Sequence, residues 1–329
     1  MFLLLLILIT NNQIDSAKIR TAYLKHINRI YMKLTKLIFC LTLLAGASTS
    51  CIREDLDACL NTNKLLLSYK GDGTTEIFPE KICRVEMFVF DAENRCVNSS
   101  ILPKEQVASQ TATLPPLAAG DYRIICLGNT HDTRVEGTET GDYDRMLFAA
   151  GDYFDEKQVA GNDSLYYAST SYTVLPYSAH KGEDQTKIIE FASSHYDLLV
   201  EVAGVPEMGA RAGSQPVLEI CGVSPCTDFE NRACGEATDY LLETEYEAGL
   251  LTARTNIMRH KDHENVNVCL RPAPGGEPLA TVNLAKFLAD NPVIDCSKHE
   301  VLIPIRIEFK SGEITVSVPE WYIEVVRPD

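Results

Sequence analysis

One tryptophan and seven histidines in 329 residues leave little from which to build a metal centre or an aromatic platform. Only His260 and His263 lie close together, with Cys269 beyond. A zinc site needs four nitrogen or sulfur ligands at fixed spacing, so no metal is expected. Calcium loops need alternating acids, a central glycine and a distal glutamate, and Asp142-Tyr143-Asp144 supplies two acids without the rest. The chain also lacks a G-x-S-x-G elbow, an H-E-x-x-H pair, a phosphate-binding glycine loop and a dinucleotide fingerprint. Neither catalysis nor a cofactor is therefore expected. Basic residues are scarce too: 30 Lys and Arg stand against 46 Asp and Glu, for a net charge of -16. Binding nucleic acid by counterion release needs a basic stripe, so that partner is excluded. No stretch reaches the roughly 20 uninterrupted apolar residues of a spanning helix.

The basic residues that exist are concentrated at the amino end. Residues 1–50 hold six Lys or Arg and a single acid, Asp15. Residues 1–31 read as an upstream extension. From Met32 the order is Met32-Lys33-Leu34-Thr35-Lys36, an apolar run over 37–47, and Ser48-Thr49-Ser50-Cys51. A charged start, a short apolar run and small residues make a secretory signal over 32–50. A cysteine directly after the small residues points to lipid modification, with Cys51 as the mature first residue. Residues 51–62 then form a tether, and Arg53, Glu54 and Asp55 within it are candidates for a surface-export signal.

Beyond the tether the hydrophobic period is mainly two, which argues strands. Ile303, Ile305, Ile307 and Phe309 alternate with polar residues; Ser311-Gly312 supplies a turn; Ile314, Val316 and Val318 alternate again. This predicts an antiparallel hairpin with one buried face. A further strand is expected after Pro319, with Trp321 as a core plug. Segments 65–69, 84–91, 121–127, 166–175 and 188–202 also read as strands, and 84–91, apolar at nearly every position, as a central one. Helical signal is confined to 142–149 and 281–288. The polar, aperiodic stretch 176–185 marks a boundary between domains at 63–178 and 186–329, each of a size suited to a β-sandwich. Nine cysteines follow Cys51, an odd number, so at least one thiol stays free. Hairpin register sets Cys96 opposite Phe90 and not opposite Cys83, while Cys221, Cys226 and Cys234 could hold one disulfide.

Cys51 with its charged tether, Val85-Glu86-Met87-Phe88-Val89-Phe90-Asp91, Leu117-Ala118-Ala119-Gly120-Asp121-Tyr122-Arg123 running to Gly128-Asn129, Val282-Asn283-Leu284, and Ile305-Arg306-Ile307-Glu308-Phe309 to Trp321 occur in that order. Together they resemble the FimB-type fimbrial subunit family of Bacteroidales, which are lipid-anchored pilus anchors and accessory pilins. Ser48 departs from the aliphatic residue usual before the lipidated cysteine, and Leu127 from the aromatic residue usual before Gly-Asn. The resemblance implies an all-β fold of two tandem transthyretin-like sandwiches. It implies acylation of Cys51, with palmitate or a similar chain held in outer-membrane lipid, and a place in a surface-exposed fimbrium that serves cell adhesion. It also implies partnership with other fimbrial subunits by β-strand complementation, in which a donated strand satisfies an open sheet edge. Tyr122 and Asn129 fit structural roles: a turn feeding a core strand, and a strand-ending residue suited to the left-handed region. A lipid-anchored glycan-binding protein for polysaccharide uptake is the alternative, and it would need a platform of exposed aromatics.

Overall fold

Most of the period-two segments form strands in the computed structural model, which describes residues 63–155, 158–176, 186–205, 216–259 and 265–326. All of these lie in one compact unit, Asp57–Asp329. The fold is all-β: among the described residues there are 21 strands in five sheets, and helices of no more than seven residues.

Near the amino end, a three-stranded sheet faces a five-stranded one. The first runs Thr111–Thr113, Lys64–Ser68, Thr186–Glu190, and the second Ala192–Ser193, Tyr166–Val174, Gly120–Gly128, Val85–Phe90, Cys96–Ile101. Leu65, Leu67, Met87, Val89, Ile124 and Tyr172 fill the space between them. Val85–Phe90 is apolar on consecutive residues because both of its faces are covered. Phe88 and Phe90 point the other way, into a second cluster with Ile125, Leu127, Tyr143, Phe148 and Phe229. Its hairpin pairs Phe90 with Cys96, the register expected from the sequence.

Toward the carboxyl end, a five-stranded sheet (Glu245–Glu247, Leu250–Met258, His195–Ala203, Leu302–Lys310, Glu313–Ser317) packs on a four-stranded one (Thr238–Leu241, Val217–Val223, Asn267–Arg271, Ala280–Asn283). Their core holds Leu198, Val200, Leu218, Val268, Ile303, Ile305 and Ile307. The fifth sheet is shared by the two halves of the chain. It runs Ala233–Cys234, Cys226–Asp228, Leu147–Ala150, Thr133–Glu136.

Several expectations are corrected here. Residues 186–193, assigned to the start of the second domain, belong to the first pair of sheets. Thr186–Glu190 runs parallel to Lys64–Ser68, and Ala192–Ser193 pairs with Tyr166 and Tyr167. The polar stretch before them joins strands of one sandwich, and the chain crosses over at Ser194. Most of that stretch, 177–185, lies outside the described residues. The carboxyl-terminal sheet is mixed, since His195–Ala203 and Leu302–Lys310 are parallel, and the chain between them supplies the whole opposing sheet. Residues 143–145 make one turn of 3-10 helix before the strand Leu147–Ala150, in place of a helix over 142–149. Residues 280–283 are strand, with Leu284–Asp290 helical, capped by the Asn283 side chain accepting from Lys286 N at 3.0 Å.

Trp321 is the largest departure. The segment after Pro319 is the helix Glu320–Val326, not a strand, and Trp321 is 40% exposed instead of plugging the core. Its indole Nε1 donates to Glu201 Oε1 at 3.1 Å, and Arg306 donates to the other Glu201 oxygen at 3.1 Å. Pro319 suits a helix entry, and Glu320 lies at the positive end of the helix dipole.

Candidate functional site

Cys51, Arg53, Glu54 and Asp55 lie outside the described residues, as do His260 and His263. The described chain begins at Asn63, which is a fixed point. It is buried, its carbonyl accepts from Leu114 N at 3.0 Å, and its side-chain oxygen accepts from the Tyr172 hydroxyl at 3.1 Å. Lys64–Ser68 follows directly and places Leu65 and Leu67 in the core.

An open sheet edge is the plainest feature for assembly. Among the described residues, Glu313–Ser317 hydrogen-bonds to Leu302–Lys310 on one side only, and all five of its residues are exposed. The turn before it has Ser311 at φ 54° and Gly312 at φ 85°. Positive φ at both central residues matches the right-handed twist of a two-residue hairpin. Ile314 and Val316 pair across to Phe309 and Ile307, so they lie on the core side of the sheet. They nevertheless stay 46% and 41% exposed, so the expected buried face of this hairpin ends at its first strand. Ile323 and Trp321 add exposed apolar surface just beyond. An edge with unpaired N–H and C=O groups and apolar side chains beside them can take an added strand.

Two grooves are less suited to chemistry. One, of about 680 Å³, is lined by Pro79, Ile82, Leu102, Val107, Cys83 and His131. Cys83 Sγ lies 3.7 Å from His131 Nε2. A cysteine nucleophile needs its base oriented by a third group. Asn129 contacts the thiol and not the imidazole: its side-chain oxygen accepts from Cys83 Sγ at 3.6 Å and from Cys83 N at 3.0 Å, and its amide nitrogen donates to Lys81 O at 2.8 Å. Asn129 has φ 60°, the left-handed geometry expected of a strand-ending asparagine. Tyr122 likewise is structural, its hydroxyl donating to Ala118 O at 3.0 Å. The other groove, about 560 Å³, is lined by acids including Asp132, Asp152, Asp155 and Asp163. Asp163 Oδ2 already accepts from His131 N, Asp132 N, Thr133 N and the Thr133 hydroxyl at 2.7–2.9 Å. Among the described residues no three His, Cys, Asp or Glu side chains cluster as metal ligands. No helix there is long and apolar enough to cross a membrane.

Besides the shared sheet, two side-chain clusters join the halves of the chain, and neither was expected from the sequence. One is polar. Glu300 accepts from the Tyr69 hydroxyl, from Tyr166 at 3.2 Å and from Lys81 Nζ at 2.5 Å, while Asp72 accepts from His299 N at 2.9 Å. Burial opposes ionisation of Glu300, but the hydrogen bonds from Lys81 and Tyr69 outweigh it and hold the carboxyl below its usual range. Burial and the same carboxylate push both tyrosines well up. The other attachment is apolar. Phe229, at the tip of the hairpin joining Cys226–Asp228 to Ala233–Cys234, meets Phe88, Phe90, Tyr143 and Phe148 edge-on at 5.0–6.2 Å between ring centroids. Its carbonyl accepts from the Tyr143 and Tyr167 hydroxyls at 2.9 and 2.7 Å, and burial pushes Tyr167 up to about 12.

A family model for fimbrillin-A associated anchor proteins, named for Mfa1 and Mfa2, matches residues 56–326. The chain belongs to that family. Solved structures agree on the fold. A candidate adhesin from Bacteroides ovatus superposes with TM-score 0.62 at 16% identity, covering 79% of this chain and 94% of that one. A candidate polysaccharide-binding protein from Bacteroides thetaiotaomicron gives 0.61 at 11% identity, covering 80% and 99%. The fimbrial anchor protein Mfa2 from Porphyromonas gingivalis gives 0.58 at 15% identity, covering 77% and 94%. At these identities the likeness speaks for the fold alone. A comparison with curated proteins finds no match. Family membership ties the chain to fimbriae at the cell surface and to other fimbrial components.

Proposed function

We propose that this protein is a lipid-anchored subunit that holds or caps a fimbrium at the outer membrane, with Cys51 acylated and residues 51–62 as its tether. The observation that carries the reading is the position of the family match. It begins at residue 56, five residues after a cysteine preceded by a charged, apolar and small-residue leader. More than one acyl chain on that cysteine is needed for stable retention, because a single chain binds bilayers only marginally. Strand complementation would use the open edge Glu313–Ser317, whose unpaired backbone and exposed Ile314 and Val316 suit a strand from the next subunit. Catalysis has no part in this reading.

The test is fractionation of cells expressing the full chain or Cys51→Ala. The wild type is expected in the outer membrane, accessible to surface proteolysis, and the variant in the soluble fraction with its fimbriae shed. If Cys51→Ala stays membrane-bound with fimbriae attached, the anchoring role is wrong.

A further inference from the structure

Eight cysteines lie among the described residues, and two pairs of them bring their thiols together. Cys221 Sγ is 3.6 Å from Cys269 Sγ, on neighbouring strands of the four-stranded sheet. Cys221 is in register with Asn267, however, and Cys269 with Glu219. The two cysteines are therefore diagonal neighbours, whose backbones stand about 7–8 Å apart. A disulfide needs Cα atoms within about 7 Å, so these thiols meet without a geometry for bonding.

Cys226 and Cys234 differ in the one respect that matters. They are direct register partners across the antiparallel pair Cys226–Asp228 and Ala233–Cys234. Directly opposed residues have Cα atoms about 4.5–5.5 Å apart, inside the range that disulfides occupy. Local structure supports close approach. Gly235, at φ 79°, follows Cys234, and a Cβ there would sit 3.0 Å from Cys226 Sγ. The thiols also interact: hydrogen bonds from Cys234 and Tyr153 hold Cys226 below the usual thiol range, and Cys234 is pushed up in turn. Cys226 is buried and Cys234 partly exposed, so a reagent reaches the second first.

We infer that Cys226 and Cys234 form an intrachain disulfide that staples the base of the hairpin carrying Phe229 into the amino-terminal half of the protein. One thiolate of the pair attacks a sulfur of an external disulfide and releases one thiol of that oxidant. The other thiolate of the pair then attacks the sulfur so joined and displaces the second. Two protons and two electrons leave the pair, and the oxidant ends as two thiols. Natural occurrence of the bond rests on the export reading above, because an oxidising compartment is where it would persist.

The chemistry itself is tested without reference to location. Purified full-length protein is equilibrated in oxidised and in reduced glutathione, remaining thiols are alkylated, and peptides are mapped. Expected is a Cys226–Cys234 cross-link in the oxidised sample, with Cys221 and Cys269 still alkylated. Cys234→Ser, a substitution at a partly exposed site, should abolish the cross-link. Hydrogen exchange of 226–234 and 147–150 should accelerate severalfold on reduction, with 302–310 unchanged. Full alkylation of both cysteines under oxidised glutathione, or a cross-link between Cys221 and Cys269, overturns the assignment. A cross-link that forms without changing exchange overturns the staple. A failed Cys51→Ala fractionation would leave each of these outcomes readable.

Discussion

Two hairpin turns in this protein are built alike and end differently. Asp91-Ala92-Glu93-Asn94-Arg95 and Asp228-Phe229-Glu230-Asn231-Arg232 share four residues of five. In each, one aspartate oxygen accepts from the backbone N of the glutamate and of the arginine at 2.9–3.0 Å, and the other accepts from the arginine Nε at 2.8–2.9 Å. The asparagine has φ 60° in both, and its N–H donates back to the aspartate carbonyl. Local polar chemistry thus makes the same loop twice. What separates the loops is the second residue: Ala92 is exposed, whereas Phe229 is buried among four aromatic rings. The turn is a carrier, and the tip residue decides whether it stays in water or joins the two halves.

The sharpest way to break this comparison is to truncate the tip. Phe229→Ala removes a ring from a packed aromatic cluster and should cost about 3–5 kcal/mol of unfolding free energy. Ala92→Gly at the matching position should cost no more than about 1 kcal/mol. Denaturant unfolding of both variants measures the difference, and equal midpoints would mean that the plug contributes nothing.

A smaller effect sharpens the likeness. Asn94→Ala and Asn231→Ala both place a Cβ without a compensating polar group in the left-handed region, at about 1–2 kcal/mol each. Asn231 should cost more, because its side-chain oxygen also accepts from the Ser194 hydroxyl at 2.7 Å. Glycine at either position should restore the turn, and at 231 only the Ser194 contribution should remain missing. Thermal unfolding of the four variants gives the ranking.

Much of this was legible from residues, and the failures share a cause. Period-two alternation located the strand 302–310, β-branched and aromatic runs located 85–90 and 166–174, and turn residues set the Phe90–Cys96 register, because these signals are local. Trp321, Ile323 and Val325 mimic a strand because six residues are too few to separate a period of two from 3.6. The pairing of 147–150 with 226–228 joins segments far apart in sequence, and no local pattern encodes it. The repeated Asp-x-Glu-Asn-Arg turn was a readable signal for the hairpin that bears Phe229. Its tip residue alone would have hinted at burial. The candidate lipid and export residues fall in a different class, since composition and order single them out and they lie outside the described fold.

The last and smallest effect contrasts the apolar plug with the polar attachment at Glu300. Phe229 packs through rings with no charge to titrate, so its contribution should persist into acid. Glu300 is half-buried and its carboxyl lies below the usual 4.5, so the folded state favours the ionised form. A depressed carboxyl stabilises the fold above its unfolded value; that stability is lost as pH falls below about 4.5 and through the folded value. Lys81 and Glu300 are each about one-third exposed, so solvent screens the pair and keeps its worth modest. Unfolding measured from pH 7 to 3 should therefore show a decline in the wild type that Glu300→Gln reduces and Phe229→Ala leaves in place. If Glu300→Gln keeps the full decline, the acid sensitivity belongs to other carboxylates and the two attachments do not differ in the way their chemistry implies.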